Sequence, residues 1–394
     1  MAAPAENRYL AVEQALRTAE PHELLTVVRA ELRRLFQADA VDLLLADYAL
    51  TMLQPVSELP YTSKPIPVNG STPGQAFGAQ QPFTERRPGP SATAYLPVTV
   101  RGDRLGVLAV ELPDVPDEAD LAELTSIART LGHEIVIAER DTDLYLQARR
   151  ATRLTLAAEM QWQLLPGRSC RGAEYDLGGQ LEPAYAIYGD NFDWSVSAEH
   201  LTLTLTNGMG EGLDAALLTN LAISALRNAR RAGVPLADQA ALADQAVYGQ
   251  YGGRLHVSVL LLRFELKTGR VEVIDAGSPR MWRQRGGTVE PIGFDAQLPL
   301  GMFEDTPYAA EEFQVLPGDR LVFVSDGVYD VPSPAGELYG ARSLARAINL
   351  TRLLPAAQVP REVLQQLAGH RTSGLADDDA MVLCLDWHGR TTAD

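Results

Sequence analysis

The sequence predicts an α/β (α+β) fold spread over more than one domain, on three observations. The chain has 394 residues, 46% of them hydrophobic. That is too long for one ordinary core, and at about 150 residues per domain it sets an expectation of two or three. Apolar runs of strand length recur in pairs around short turns that contain Gly. Long helical patterns interrupt them, so the strands form mixed or antiparallel sheets with helices laid over them.

The elements follow in order. From Glu13 to Phe36 the apolar residues Leu16, Leu24, Leu25, Val28, Leu32 and Phe36 share one helical face, which predicts a helix against a core. Val41 to Ala49 reads as a strand, and the Pro/Gly/Ser-rich stretch from Gln54 to Thr93 reads as long loops with at most short elements. Tyr95–Val100 and Leu105–Leu112 flank Arg101-Gly102-Asp103-Arg104 as a hairpin, and a helix from Asp117 to Glu139 closes the unit. Between Asp141 and Leu165 there is no Pro or Gly, and Ile137, Leu144, Ala151, Ala158 and Leu165 recur every seventh residue. That spacing fits either a dimerising seam or an amphipathic linker helix packed on its own domain. Pro166-Gly167 stops it.

Beyond it the chain is richer in strands. Leu201–Thr206 alternates Leu with Thr, and His256–Leu266 pairs with Val271–Asp275 across Lys267-Thr268-Gly269-Arg270. Arg320–Ser325 and Ala380–Trp387 are further strands. Leu213–Arg231, Leu344–Leu354 and Arg361–Leu367 are helical, the first ending on basic residues that complement its dipole.

Charge narrows the function. Thirty-four Lys and Arg against 51 Asp and Glu give a net −17, which argues against nucleic acid as the partner, because a phosphate backbone needs a basic face. No apolar stretch approaches the roughly 18 to 20 residues that a bilayer needs, and the N-terminal residues lack a basic region followed by an apolar run. A cytoplasmic protein without a membrane partner is expected. Two cysteines, Cys170 and Cys384, agree with a reducing compartment.

The informative feature is where the strands end. Asp or Asn stands beside a turn in Gly189-Asp190-Asn191-Phe192-Asp193, Asn207-Gly208-Met209-Gly210-Glu211-Gly212, Ser325-Asp326-Gly327 and Ala376-Asp377-Asp378-Asp379. Hard cations such as Mg²⁺ and Mn²⁺ take oxygen ligands, and strand ends hold several carboxylates rigidly around one point. Singly, Asp-Gly is a turn dipeptide. As a set these motifs point to one metal centre.

From about Leu154 to Trp387 the chain resembles the metal-dependent protein phosphatase (PPM) superfamily, in its bacterial SpoIIE/RsbU branch. The resemblance rests on ordered motifs: Gln163-Leu164-Leu165-Pro166, Glu182-Pro183-Ala184, Gly189-Asp190, the Gly-rich turn before Ala215-Ala216-Leu217-Leu218, Asp275-Ala276-Gly277-Ser278-Pro279, Leu298-Pro299-Leu300-Gly301, Pro317-Gly318-Asp319, Ser325-Asp326-Gly327-Val328 and Asp378-Asp379. Leu24 to Glu139 resembles a GAF domain, chiefly at Leu96-Pro97-Val98 and Leu105-Gly106-Val107-Leu108. The resemblance implies a GAF-like sensor domain (1–140), a linker or switch helix (141–165), and a phosphatase domain (166–394) folded as an α-β-β-α sandwich of two antiparallel sheets.

The resemblance also implies a mechanism. Two Mn²⁺ or Mg²⁺ ions activate a water that attacks the phosphorus of a phosphoserine or phosphothreonine in line. Asp190, Asp326 and Asp378 carry over as catalytic carboxylates. The metal set is Asp190, Asn207, Gly208 through its carbonyl, Asp326, Asp378 and Asp379, with Asp193 beside it. Asn207 departs from the family, which has at this position an Asp bridging both ions; Ser278 and Glu211 stand where the branch commonly has His. The implied function is a signalling phosphatase whose substrate is a phosphorylated regulatory protein such as an anti-sigma-factor antagonist, gated by the GAF-like domain, in a homodimer. The alternative is a pseudophosphatase acting as a binding or scaffold module. Asn207-Gly208 is also a dipeptide prone to deamidation, which would supply the missing carboxylate. The GAF-like region has no Cys for a thioether-linked bilin, leaving a small ligand in an apolar pocket or a purely dimerising role. His256, Trp162 and Trp194 read as packing residues.

Overall fold

A computed structural model describes residues 7–182, 189–340, 342–371 and 378–390. Pro183, Ala184, Ala376 and Asp377 of the quoted motifs lie outside the described residues. The chain divides into two compact units, Met1–Arg153 and Leu154–Asp394.

The first unit runs α1 (Arg8–Thr18), α2 (Leu24–Phe36), β1 (Ala40–Ala46), β2 (Met52–Glu58), the two-residue strands β3 (Tyr61–Thr62) and β4 (Ile66–Pro67), α3 (Thr72–Ala79), β5 (Phe83–Arg86), β6 (Ala92–Val100), β7 (Asp103–Leu112), α4 (Glu118–Ala138) and α5 (Leu144–Ala148). The strands form one antiparallel sheet in the order β3-β2-β1-β7-β6-β5, with β4 on β2. Alternation divides β1 between two cores. Leu43 and Leu45 join Leu32, Leu96, Leu108 and Leu131 on the side of α1, α2 and α4, while Leu44 and Ala46 join Val68, Phe77 and Val107 on the side of α3.

Three local expectations change. The helix expected over Glu13–Phe36 is two helices, because Ala19 leaves the helical region and Pro21 follows it. The stretch read as loops, Gln54–Thr93, contains most of β2 together with β3, β4, α3 and β5; Ser71 caps α3 by accepting the Gly74 amide at 3.1 Å. The single helix expected over 141–165 is two short ones, α5 and α6 (Leu156–Leu164), since Thr155 starts a new helix by accepting the Ala158 amide at 3.2 Å. The positions spaced by seven therefore fall on separate pieces, and no continuous seam runs along them.

The second unit continues from α6 through β8 (Ser169–Arg171), β9 (Tyr175–Glu182), β10 (Asp190–Val196), β11 (His200–Gly208), α7 (Gly212–Arg231), α8 (Leu236–Tyr251), β12 (Val257–Glu265), β13 (Arg270–Ala276), β14 (Arg280–Arg285), β15 (Thr288–Ile292), β16 (Glu311–Gln314), β17 (Arg320–Val324), α9 (Asp326–Tyr329), α10 (Ser343–Leu350), α11 (Val359–His370) and β18 (Ala380–Trp387). They make two antiparallel sheets, β10-β11-β12-β13-β16 and β15-β14-β17-β18-β9-β8. Phe192, Leu203, Leu205, Leu260 and Phe264 of the first meet Leu177, Leu321, Phe323, Leu383 and Trp387 of the second in a shared core. Helices α7 and α8 cover the outer face of the first sheet, and α10 and α11 that of the second. The expected four-layer α-β-β-α sandwich is what the residues build.

Candidate metal centre

One end of this sandwich collects the predicted carboxylates, and strand register explains why. Asp190 opens β10 directly opposite Asn207, near the end of β11. Asp326 stands two residues past the end of β17, and Asp378 and Asp379 precede β18, which pairs with β17 through Val324↔Val382.

Close backbone packing brings the ends together. Gly189 has φ +120°, and a Cβ there would lie 2.2 Å from the Gly208 carbonyl oxygen; only glycine fits. Gly327 has the same need, since its Cβ would lie 1.9 Å from the Asp379 carbonyl oxygen. The Gly208 amide donates to the Gly189 carbonyl at 3.0 Å and the Thr219 hydroxyl to the same oxygen at 2.9 Å, which ties α7 to the turn.

Two hydrogen bonds stitch the sheets here. The Asp190 amide donates to Asp379 Oδ2 at 2.9 Å, and Asn207 Nδ2 donates to Asp326 Oδ1 at 2.5 Å. The Asp379 amide donates to Asp378 Oδ1 at 2.9 Å, and Gly327 to Asp326 Oδ1 at 3.0 Å. Ser325, missed in the sequence, accepts the Met381 amide at 2.9 Å and holds the β17 and β18 ends together. Gln161 of α6 donates to the Asp190 carbonyl, another contact that only the fold reveals.

The electrostatics are those of crowded anions. Asp190 is fully buried, and among the described residues neither of its carboxylate oxygens has a hydrogen bond of normal geometry. Burial first, then Asp379, Asp326 and Asp378, raise its pKa well above the usual carboxylate range, with the nearby Ser325 hydroxyl opposing. Asp326 is raised by burial and by Asp378. Asp378 is raised by burial and by Glu211, against the pull of the Asp379 amide and Arg371.

A hard divalent cation fits the oxygen chemistry and would satisfy the orphaned Asp190 oxygens. The Asn207 amide does not fit as well, because it is neutral and aims its N–H at Asp326. Among the described residues no three His, Cys, Asp or Glu side chains stand at metal-ligand spacing, so the carboxylates line the end of the sandwich without forming a closed cage.

Asp193 is separate from this set. It points to the outer face, where Arg227 pairs with it at 2.8 Å and Arg230 at 3.0 Å, so these arginines anchor α7 to β10. Ser278 lies 3.4 Å from the Tyr329 hydroxyl, just past Asp326. Trp194 stacks on Phe192 and Trp162 lies under Arg168, as packing residues do. Deamidation of Asn207 is opposed by its surroundings: the Gly208 nitrogen that would attack it is committed to the Gly189 carbonyl, and the strand is paired on both sides.

Residues 197–388 match the family model described as "Stage II sporulation protein E (SpoIIE)". The match lies within the C-terminal unit and supports a SpoIIE/PP2C-type phosphatase domain there. Phosphoserine phosphatase RsbU of Bacillus subtilis is 20% identical over 234 residues, covering 59% of this chain and 70% of that protein. Protein IcfG of Synechocystis is 18% identical over 240 residues, or 54% of this chain, and the match spans only 38% of IcfG. Among solved structures, the SiaA-PP2C domain of Pseudomonas aeruginosa matches with TM-score 0.50 at 18% identity, covering 59% of this chain and 93% of that domain. These matches support a metal-dependent hydrolase. Among the described residues no helix is long and apolar enough to cross a membrane.

Proposed function

We propose that this protein is a Mn²⁺- or Mg²⁺-dependent phosphoserine/phosphothreonine phosphatase in bacterial partner-switching signalling. Its substrate is a phosphorylated regulatory protein such as an anti-sigma-factor antagonist. The observation that carries the reading is the buried, unpartnered carboxylate of Asp190 among Asp326, Asp378 and Asp379 at one end of the sandwich. When bound there, the metal supplies an activated water and neutralises charge on the phosphoryl group.

The chain's own groups do the rest. Asp190, Asp326 and Asp378 present the anionic oxygens and Gly208 its carbonyl. Asp379 holds the Asp190 backbone, while Gly189 and Gly327 permit the close approach. The N-terminal unit reads as a GAF-like sensor, supported by its single antiparallel sheet with helices on both faces. Within the C-terminal unit the switch element of this reading is α6, whose Gln161 bonds the Asp190 carbonyl and whose Leu164 carbonyl accepts from Arg227. A small ligand in that unit and a homodimer complete the reading.

A second reading, a pseudophosphatase that binds without turnover, is favoured by Asn207, whose amide takes Asp326 as its partner. Mn²⁺-dependent hydrolysis of p-nitrophenyl phosphate by the native chain, Asn207→Asp and Asp326→Ala separates the two. Native activity that Asp326→Ala abolishes supports the phosphatase. An inactive native chain revived by Asn207→Asp alone sinks it in favour of the pseudophosphatase.

A further inference from the structure

We infer that the carboxylate end of the sandwich takes a single divalent cation, and that the amide of Asn207 stands in the place of a second one beside Asp326. The inference rests on reading that end as a cation site.

The two sides of the site differ in what they lack. Asp326 Oδ1 already has two donors, Asn207 Nδ2 at 2.5 Å and the Gly327 amide at 3.0 Å. Asp190 is fully buried with both oxygens unpartnered, and Asp379, Asp326 and Asp378 are its acidic neighbours. The need for positive charge is therefore met at Asp326 by an amide and left open at Asp190. The orientation of Asn207 is fixed by chemistry: an ionised carboxylate only accepts, so the amide must turn its NH₂ toward Asp326. Its backbone is fixed as well, since Asn207 is paired with Asp190 on one side and Ser258 on the other. An amide donor carries no net charge, so it satisfies one carboxylate without bridging two ions.

Mn²⁺ titration of the full chain, followed by the electron paramagnetic resonance signal of free Mn²⁺, counts the bound ions. One ion per native chain and two per Asn207→Asp chain are expected. The metal-free Asn207→Asp chain should also melt below the native one, because two carboxylates then face each other, and Mn²⁺ should raise its melting temperature more. Two ions or none on the native chain, or the same count in both chains, overturns the inference. Should Asn207→Asp fail to fold without metal, the native count alone decides. Hydrolysis of p-nitrophenyl phosphate in the same samples keeps the claims apart: one bound ion without turnover removes the phosphatase reading and leaves this one standing, and turnover with two bound ions does the reverse.

Discussion

Asp190 shows how a single residue can be costly to the fold and useful to the site. A buried carboxylate without a partner destabilises the native state, and its raised pKa is the measure of that cost. Its folded pKa lies above the unfolded value, so protonation favours the fold. That contribution is complete below the unfolded pKa of about 4 and is lost as pH rises through the folded pKa. With a chelator present, the melting temperature should therefore climb as pH falls from neutral toward the ordinary carboxylate range, and Mn²⁺ should flatten the slope. Asp190→Asn should stabilise the metal-free chain by about 1–3 kcal/mol and abolish that part of the pH dependence, as denaturant titration would read. A destabilised Asp190→Asn would contradict the account. The candidate carboxylates stood out in the sequence because three of the four motifs set Asp or Asn beside Gly at a strand end, whereas Asp378 and Asp379 stood out only as an acidic run before a strand. Asp193 was misplaced beside them although parity argues otherwise: three residues past Asp190 in a strand, it faces the other side of the sheet.

At the scale of elements, α7 is the hub. Thr219 near its start bonds the Gly189 turn, and Arg227 near its end bonds both Asp193 on β10 and the Leu164 carbonyl at the end of α6. Arg227→Ala leaves the buried Asp193 with Arg230 alone and should cost about 2 kcal/mol, less than the roughly 3–5 for stripping a buried charge of every partner. Arg227→Lys should recover only part of it, since an ammonium lacks the planar fork. Equal stability of native and Arg227→Ala chains in denaturant would show that the pair is idle. Hairpins and long helices were readable because turn and period are local signals. The break between α5 and α6 was not, because the absence of Pro and Gly says only that a helix is permitted, and the Thr155 cap that restarts it competes with continuation through a single hydrogen bond.

For the whole molecule, strand order was the least legible property. The six-stranded sheet pairs Trp387 with Tyr175 and Ala380 with Glu182, contacts across some 200 residues that no local pattern encodes. Motif order supplied what periodicity could not, and the sandwich followed. The net charge of −17 argued against a nucleic-acid partner, and the few carboxylates that matter occupy one end of one unit. Whether the carboxylate end of the sandwich hydrolyses phosphate is decided by phosphate release from a phosphoserine peptide by the full chain at increasing Mn²⁺. Turnover should rise to saturation with Mn²⁺, stop with chelator and be absent in Asp326→Ala; a native chain that binds Mn²⁺ yet releases no phosphate at any concentration would rule out the phosphatase.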